Sequence, residues 1–152
     1  MRHYEIINDQ GLAGLSLVNR DLPQPVADQV LIRVRASSVN YRDLMTIIDP
    51  APRGIIYPRI PNSDGAGEVV AIGDEVTRFK IGDKVCGTFF QTWIDGSITA
   101  NDMANALGGT VDGMLAEYRL LNQNGLVPMP VSYTHLRAHE TVLDLVCRLL
   151  LE

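Results

Sequence analysis

Short apolar runs recur along the chain, and glycine or proline turns separate them. Gln29–Ser37 is the clearest run, because apolar and charged positions alternate within it. Val30, Ile32 and Val34 fall on one predicted face, and Leu31, Arg33 and Arg35 fall on the other. Glu68–Ile72 is an almost continuous apolar run. Both runs have the length of strands and are too short for buried helices.

The segment from Arg59 to Gly87 contains the pattern that best indicates the fold. Its glycines precede and follow the strand that is predicted at Glu68–Ile72. Three apolar residues after Gly73 are spaced to cover one side of a small closed β-barrel: Val76, Phe79 and Ile81. Gly82-Asp83 is a turn pair that favours positive φ, and Lys84–Cys86 then restarts a strand.

The remaining pattern adds strands and two short helices. Further strands are predicted at Tyr4–Ile7, Leu15–Val18, Gly113–Leu121 and Gly125–Pro128, and helical spacing appears at Tyr41–Ile47 and Asn101–Leu107. The loop Asp49–Pro61 holds four of the eight prolines, and pinned loops of this kind often carry function. Six or seven short strands separated by turns predict a mainly β fold with short helices.

Composition narrows the function classes. The chain has 152 residues and a net charge of −5, with no basic cluster, which argues against nucleic acid or an anionic membrane as the main partner. Two cysteines cannot form a disulfide framework, so a reducing cytoplasm is the expected location. Neither a signal peptide nor a membrane span is predicted, because no apolar run approaches ~20 residues.

Three motifs in order resemble one family. The first motif is the pair of glycines at 67 and 73, followed by Val76 and Phe79–Val85. The other two are Val34–Asp43 and Gly113–Tyr118. Their order and spacing resemble those of the medium-chain dehydrogenase/reductase superfamily. The chain resembles the N-terminal catalytic domain of that superfamily over roughly residues 5–130. The resemblance implies a GroES-like β-barrel that packs against a Rossmann domain, with the active site in the cleft between them.

Departures from the family pattern indicate the subtype. Zinc enzymes of the family carry Cys and His where this chain has Asn40 and Tyr41, and His-Glu where it has Ser63-Asp64. A catalytic zinc needs three imidazole, thiolate or carboxylate ligands, so no zinc is expected. The lobe Thr88–Thr110 also lacks the cysteines of a structural zinc. The chain therefore looks like the zinc-independent branch, similar to NADPH-dependent quinone oxidoreductases and enoyl-type reductases.

The resemblance implies hydride transfer between a nicotinamide, NADP or NAD, and a carbonyl, enone or quinone substrate. Asn40, Tyr41 and Asp43 are the candidate catalytic residues, and Asn40 and Arg42 are candidates for contacting the cofactor. Asp43 at the start of a helix is favoured as a cap over a catalyst. Tyr41 fits a pocket wall and a proton donor about equally. The full-length parent is expected to be a homodimer.

The cofactor half is missing from the sequence, since no glycine-rich turn opens a helix after a strand. Residues 1–129 are assigned to the barrel domain. Pro130–Thr141 resembles one translated frame of a common sequencing-library adapter, so residues 130–152 are interpreted as a non-native tail, with a helix predicted over Thr134–Leu151. The fragment is expected to be inactive. The alternative is a free-standing GroES-like barrel that acts as a binding or cochaperonin-type module.

Overall fold

The computed structural model describes residues 1–129, which form seven strands and two α-helices. The strands are β1 (Arg2–Ile6), β2 (Leu15–Asn19), β3 (Gln29–Ser38), β4 (Asp64–Ile72), β5 (Lys84–Gly87), β6 (Tyr118–Asn122) and β7 (Leu126–Pro128); the helices are α1 (Tyr41–Ile48) and α2 (Ala100–Met103). Within the described range, no helix has both the length and the apolar character needed to cross a bilayer. The predicted tail and its helix lie outside these residues.

Five strands form one antiparallel sheet in the order β6-β3-β4-β5-β7, and β1 pairs with β2 in a separate hairpin. The two edge strands of the large sheet, β6 and β7, follow one another in the chain. A 3-10 turn of three residues, Gln123–Gly125, joins them. Because so short a connection holds both edges together, the sheet curls into a barrel. This confirms the mainly β, barrel-type fold that the sequence predicts.

The core lies inside the curled sheet. Its buried residues are Val30, Ile32, Val69, Phe79, Val85, Leu107, Met114, Leu121 and Leu126. Val30 and Ile32 come from the face of β3 that alternation predicts to be apolar, although Leu31 on the opposite face is also buried. Gly67 is required by close packing, since a Cβ atom there would lie 2.3 Å from the Arg33 carbonyl oxygen. Gly82 has the predicted positive φ, at 93°.

The structure corrects one predicted core residue, Ile81. Val76 packs against the core and Phe79 is buried, but Ile81 is 64% exposed. The cause is a tight turn, in which the Asp83 amide donates to the Lys80 carbonyl oxygen at 3.1 Å and the Lys80 amide donates to Asp83 Oδ2 at 2.9 Å. This turn places the side chain of Ile81 at the surface.

Two predicted elements are shorter than expected. The strand predicted from Gly113 begins only at Tyr118, because the preceding amides bond to three separate segments. Gly113 donates to Ile60, Met114 to Asn62 and Glu117 to Arg2. The helix predicted over Asn101–Leu107 is the single turn α2, since Ala106 and Leu107 form isolated bridges with Phe90 and Val111 instead.

Candidate active site

The start of α1 and the start of β4 meet at Asp43, which is fully buried. Its Oδ2 accepts a hydrogen bond from the Asn40 amide at 2.9 Å, and its Oδ1 accepts one from the Ser63 amide at 3.1 Å. The Asp43 amide in turn donates to the Asn40 carbonyl oxygen at 3.0 Å. One carboxylate therefore caps the helix and fixes the adjacent strand against it.

Burial raises the pKa of the Asp43 carboxyl above its ordinary value. The two amide hydrogen bonds and the Arg42 guanidinium, 3.6 Å away, act in the opposite direction because they favour the charged form. Desolvation is the larger effect, since a fully buried carboxylate has lost the water that stabilises its charge.

The Asn40 side chain joins a polar cluster in front of Asp43. Its Nδ2 donates to Ser63 Oγ at 3.4 Å and also to the Asp64 carboxylate. Ser63 Oγ donates to Asp64 Oδ2 at 3.1 Å. Asn40 and Asp64 are both half-buried, so the cluster reaches the surface of the domain. Three side chains from α1 and β4 thus fix one another at the site that the sequence analysis indicated.

Asn62 and Ser37 complete the support of this cluster, and sequence reasoning missed both. Asn62 has a left-handed backbone with φ of 69° and is 1% exposed. Its Nδ2 donates to Ser37 Oγ at 3.0 Å, and that hydroxyl donates to the Asp64 carbonyl oxygen at 3.0 Å. The available signal was an asparagine directly before Ser63, because asparagine is enriched in left-handed turns.

Arg42 points away from the cluster toward the lobe. Its Nη1 donates to the Leu107 carbonyl oxygen at 3.3 Å, and its guanidinium carbon lies 4.7 Å from the centre of the Phe89 ring. Burial lowers the pKa of this guanidinium. Arg42 therefore ties α1 to the lobe, and its predicted contact with a cofactor stays a prediction.

Tyr41 begins an exposed apolar stripe on α1. The Tyr41 side chain is 78% exposed, and Leu44 and Ile48, three and seven residues later, are also exposed. Residues at this spacing share one helix face, and the opposite face of α1 buries Asp43 and Thr46. The helix thus exposes one apolar stripe that begins beside Asn40, while the apolar Ile47 is buried on the other side.

The side chains of the cluster do not by themselves supply three zinc ligands. Within residues 1–129, no three His, Cys, Asp or Glu side chains come together in a way that could hold a metal ion. Asp64 supplies the cluster's surface-reaching carboxylate, but Asn40 and Ser63 offer an amide and a hydroxyl, and both bond to Asp64.

The barrel and this cluster define the class of protein. The model of the alcohol dehydrogenase GroES-like domain matches residues 26–131, so the chain belongs to that family. It is 35% identical over 128 residues to a zinc-type alcohol dehydrogenase-like protein of Schizosaccharomyces pombe, covering 82% of this chain and 37% of that protein. It is 33% identical over 124 residues to a chloroplastic quinone-oxidoreductase homolog of Spinacia oleracea, covering 79% and 32%.

Solved structures agree with these relatives. A Sinorhizobium meliloti protein assigned to the alcohol dehydrogenases superposes with a TM-score of 0.75 and 32% identity, covering 86% of this chain and 39% of that one. A quinone oxidoreductase of Pseudomonas syringae superposes with a TM-score of 0.64 and 25% identity, covering 86% and 34%. The chain thus spans about a third of the length of these relatives and matches their barrel domain.

Proposed function

We propose that this domain is the substrate-side half of a zinc-independent, NAD(P)H-dependent oxidoreductase that reduces carbonyl, enone or quinone compounds. The observation that carries the proposal is the Asn40–Ser63–Asp64 cluster, on a barrel whose relatives bear the names alcohol dehydrogenase and quinone oxidoreductase. This cluster sits where the zinc enzymes of the family hold metal ligands, yet its donors and acceptors satisfy one another.

The protein's contribution to such a reaction is binding and orientation, because the nicotinamide, when bound, supplies the hydride. Asn40 lies at the rim of the cluster with its amide orientation set by Asp64, which suits it to contact the nicotinamide edge or the substrate oxygen. Tyr41 carries an exposed phenol one residue away, and that phenol can donate the proton that the reduced substrate oxygen takes up. Asp43 acts as a positioning residue, since it contacts Asn40 and Ser63 through their amides.

The exposed stripe on α1 supports a covering domain. Tyr41, Leu44 and Ile48 are exposed along one face of α1, and the stripe begins directly after Asn40. Exposed apolar surface of this kind marks an interaction site. A Rossmann domain on this face would enclose the cluster in a cleft and exclude water from it. The proposal extends to a homodimeric parent in a reducing cytoplasm.

The test uses the complete reading frame of the parent enzyme. Purified protein is assayed for oxidation of NADPH and NADH with a quinone, an enal and a simple ketone, and its metal content is measured by mass spectrometry. We expect turnover without stoichiometric zinc. A Tyr41→Phe variant should lose at least about a hundredfold in kcat, the lower end of the scale of general acid catalysis, and the matched Tyr4→Phe variant on β1 should not.

One result would contradict the proposed zinc-independent oxidoreductase, and another would overturn the role of Tyr41 as proton donor. Stoichiometric zinc whose removal abolishes activity would reject the zinc-independent assignment. An unchanged kcat in Tyr41→Phe would assign the phenol to the pocket wall.

A further inference from the structure

A second cavity lies apart from the Asn40 cluster, between the lobe Thr88–Thr110 and β6. It has a volume of about 450 Å³, and its walls include Gln91, Leu107, Val111, Asp112, Arg119 and Asn122. The lining combines aliphatic side chains with amides, and Arg119 is its cationic residue. Apolar side chains with a few convergent polar groups are the usual composition of a small-molecule site.

Arg119 faces inward on β6. It lies two residues before the buried Leu121, so both side chains point to the same side of the strand. Its Nη2 donates to the carbonyl oxygen of Asp112 at 2.9 Å. Its Nε is buried and has no hydrogen-bond partner in the part of the chain that the structure describes.

The nearby carboxylate is already engaged. Asp112 Oδ1 accepts from Arg59 Nη1 at 3.0 Å and from the Ile60 amide at 3.2 Å. Arg119 forms no ion pair with a carboxylate among residues 1–129. Burial lowers the pKa of its guanidinium; the charge of Asp112 acts in the opposite direction, and the charge of Arg59 adds to the lowering. Asp112 Oδ1 thus pairs with Arg59, while Arg119 bonds only the backbone carbonyl oxygen of Asp112 beside the cavity.

We propose that this cavity binds a small carboxylate with an apolar body, and that the carboxylate pairs with Arg119. A buried cation is costly without an anion, and a guanidinium matches the two oxygens of a carboxylate in geometry. Leu107 and Val111 provide the apolar wall for the rest of the ligand. This inference does not depend on the oxidoreductase activity, because none of the Asn40 cluster lines the cavity.

The chain contains its own reporter for a binding experiment. Trp93 is the one tryptophan of the sequence, and it stands between Thr92 and Ile94, which both line the cavity. The 152-residue protein is titrated with hexanoate while tryptophan fluorescence is recorded, and 1-hexanol serves as the uncharged ligand. Arg119→Gln removes the charge, and Arg53→Gln is the matched control on an exposed arginine.

We expect saturable hexanoate binding that weakens by at least about tenfold in Arg119→Gln and for 1-hexanol, the lower limit for a charge-assisted hydrogen bond. Arg53→Gln should bind like the unmodified chain. If Arg119→Gln does not fold, Thr92→Phe places a ring at the exposed rim of the cavity and should weaken hexanoate binding similarly. Absence of saturable binding at millimolar hexanoate, equal binding of 1-hexanol, or unchanged hexanoate binding in a folded Arg119→Gln or Thr92→Phe variant would overturn the proposal.

Discussion

Removing the Asp43 carboxylate is the sharpest test of how the candidate site is held together. In Asp43→Ala, the amides of Asn40 and Ser63 both lose their acceptor, at 2.9 and 3.1 Å in the intact protein. Each buried amide left without a partner costs ~1–3 kcal/mol, so the free energy of unfolding should fall by ~2–6 kcal/mol. This is a large part of the ~5–15 kcal/mol that stabilises a typical domain.

The loss should be measured by urea unfolding of the 152-residue chain, followed by circular dichroism. With a slope of ~2 kcal/mol per molar urea, the midpoint should fall by about 1–3 M. Asp21→Ala is the control, since Asp21 is exposed and changes at such positions stay within about 0.5 kcal/mol. A loss in Asp43→Ala no larger than the control's would refute the view that this carboxylate joins α1 to β4.

The raised pKa of Asp43 adds a dependence on pH with a defined sign. A carboxyl whose pKa is higher in the folded state binds its proton more tightly when folded, so ionisation reduces stability. Relative to the neutral Asp43→Asn variant, the unmodified chain should lose stability as the pH rises from the ordinary value of 3.8 through the raised one. Urea midpoints of both proteins across this window measure the difference. If the unmodified chain instead gains stability relative to Asp43→Asn as the pH rises, the amide hydrogen bonds and Arg42 outweigh burial.

Two further predictions concern packing and cofactor binding. Gly67→Ala places a Cβ atom 2.3 Å from the Arg33 carbonyl oxygen and should destabilise the domain by at least ~2 kcal/mol. Gly96→Ala is the control, because its Cβ atom meets no neighbour and only the strain of a left-handed φ, ~1 kcal/mol, applies. Equal thermal shifts for the two variants would contradict the packing argument. The 152-residue chain should give no saturable NADPH signal in a fluorescence titration, because no glycine-rich turn for the pyrophosphate is present; stoichiometric binding would overturn this prediction.

The β-barrel was open to prediction because its signals are local. Alternation in Gln29–Ser37 and the apolar run after Gly67 fix strands that pair in the structure as β3 and β4. The spacing of Tyr41–Ile47 likewise predicted α1 to within one residue. Ile81 shows the limit of this reasoning. Its spacing matches Phe79, but a turn stabilised by Asp83 carries it into solvent.

The sequence by itself determined the barrel and the family, and it made the residues around Asn40 candidates for the site. Strand periodicity and turn residues depend on neighbouring positions in the chain, so a local pattern is enough to predict them. Only the tertiary structure decided which groups meet. It joined Asp43 to Ser63, twenty residues along the chain, and turned Arg42 toward Leu107. Among residues 1–129, it also left Arg119 without an ion-paired carboxylate, while Asp112 pairs with Arg59. Contacts of this kind depend on how distant segments pack when the sheet curls, and no local pattern records them.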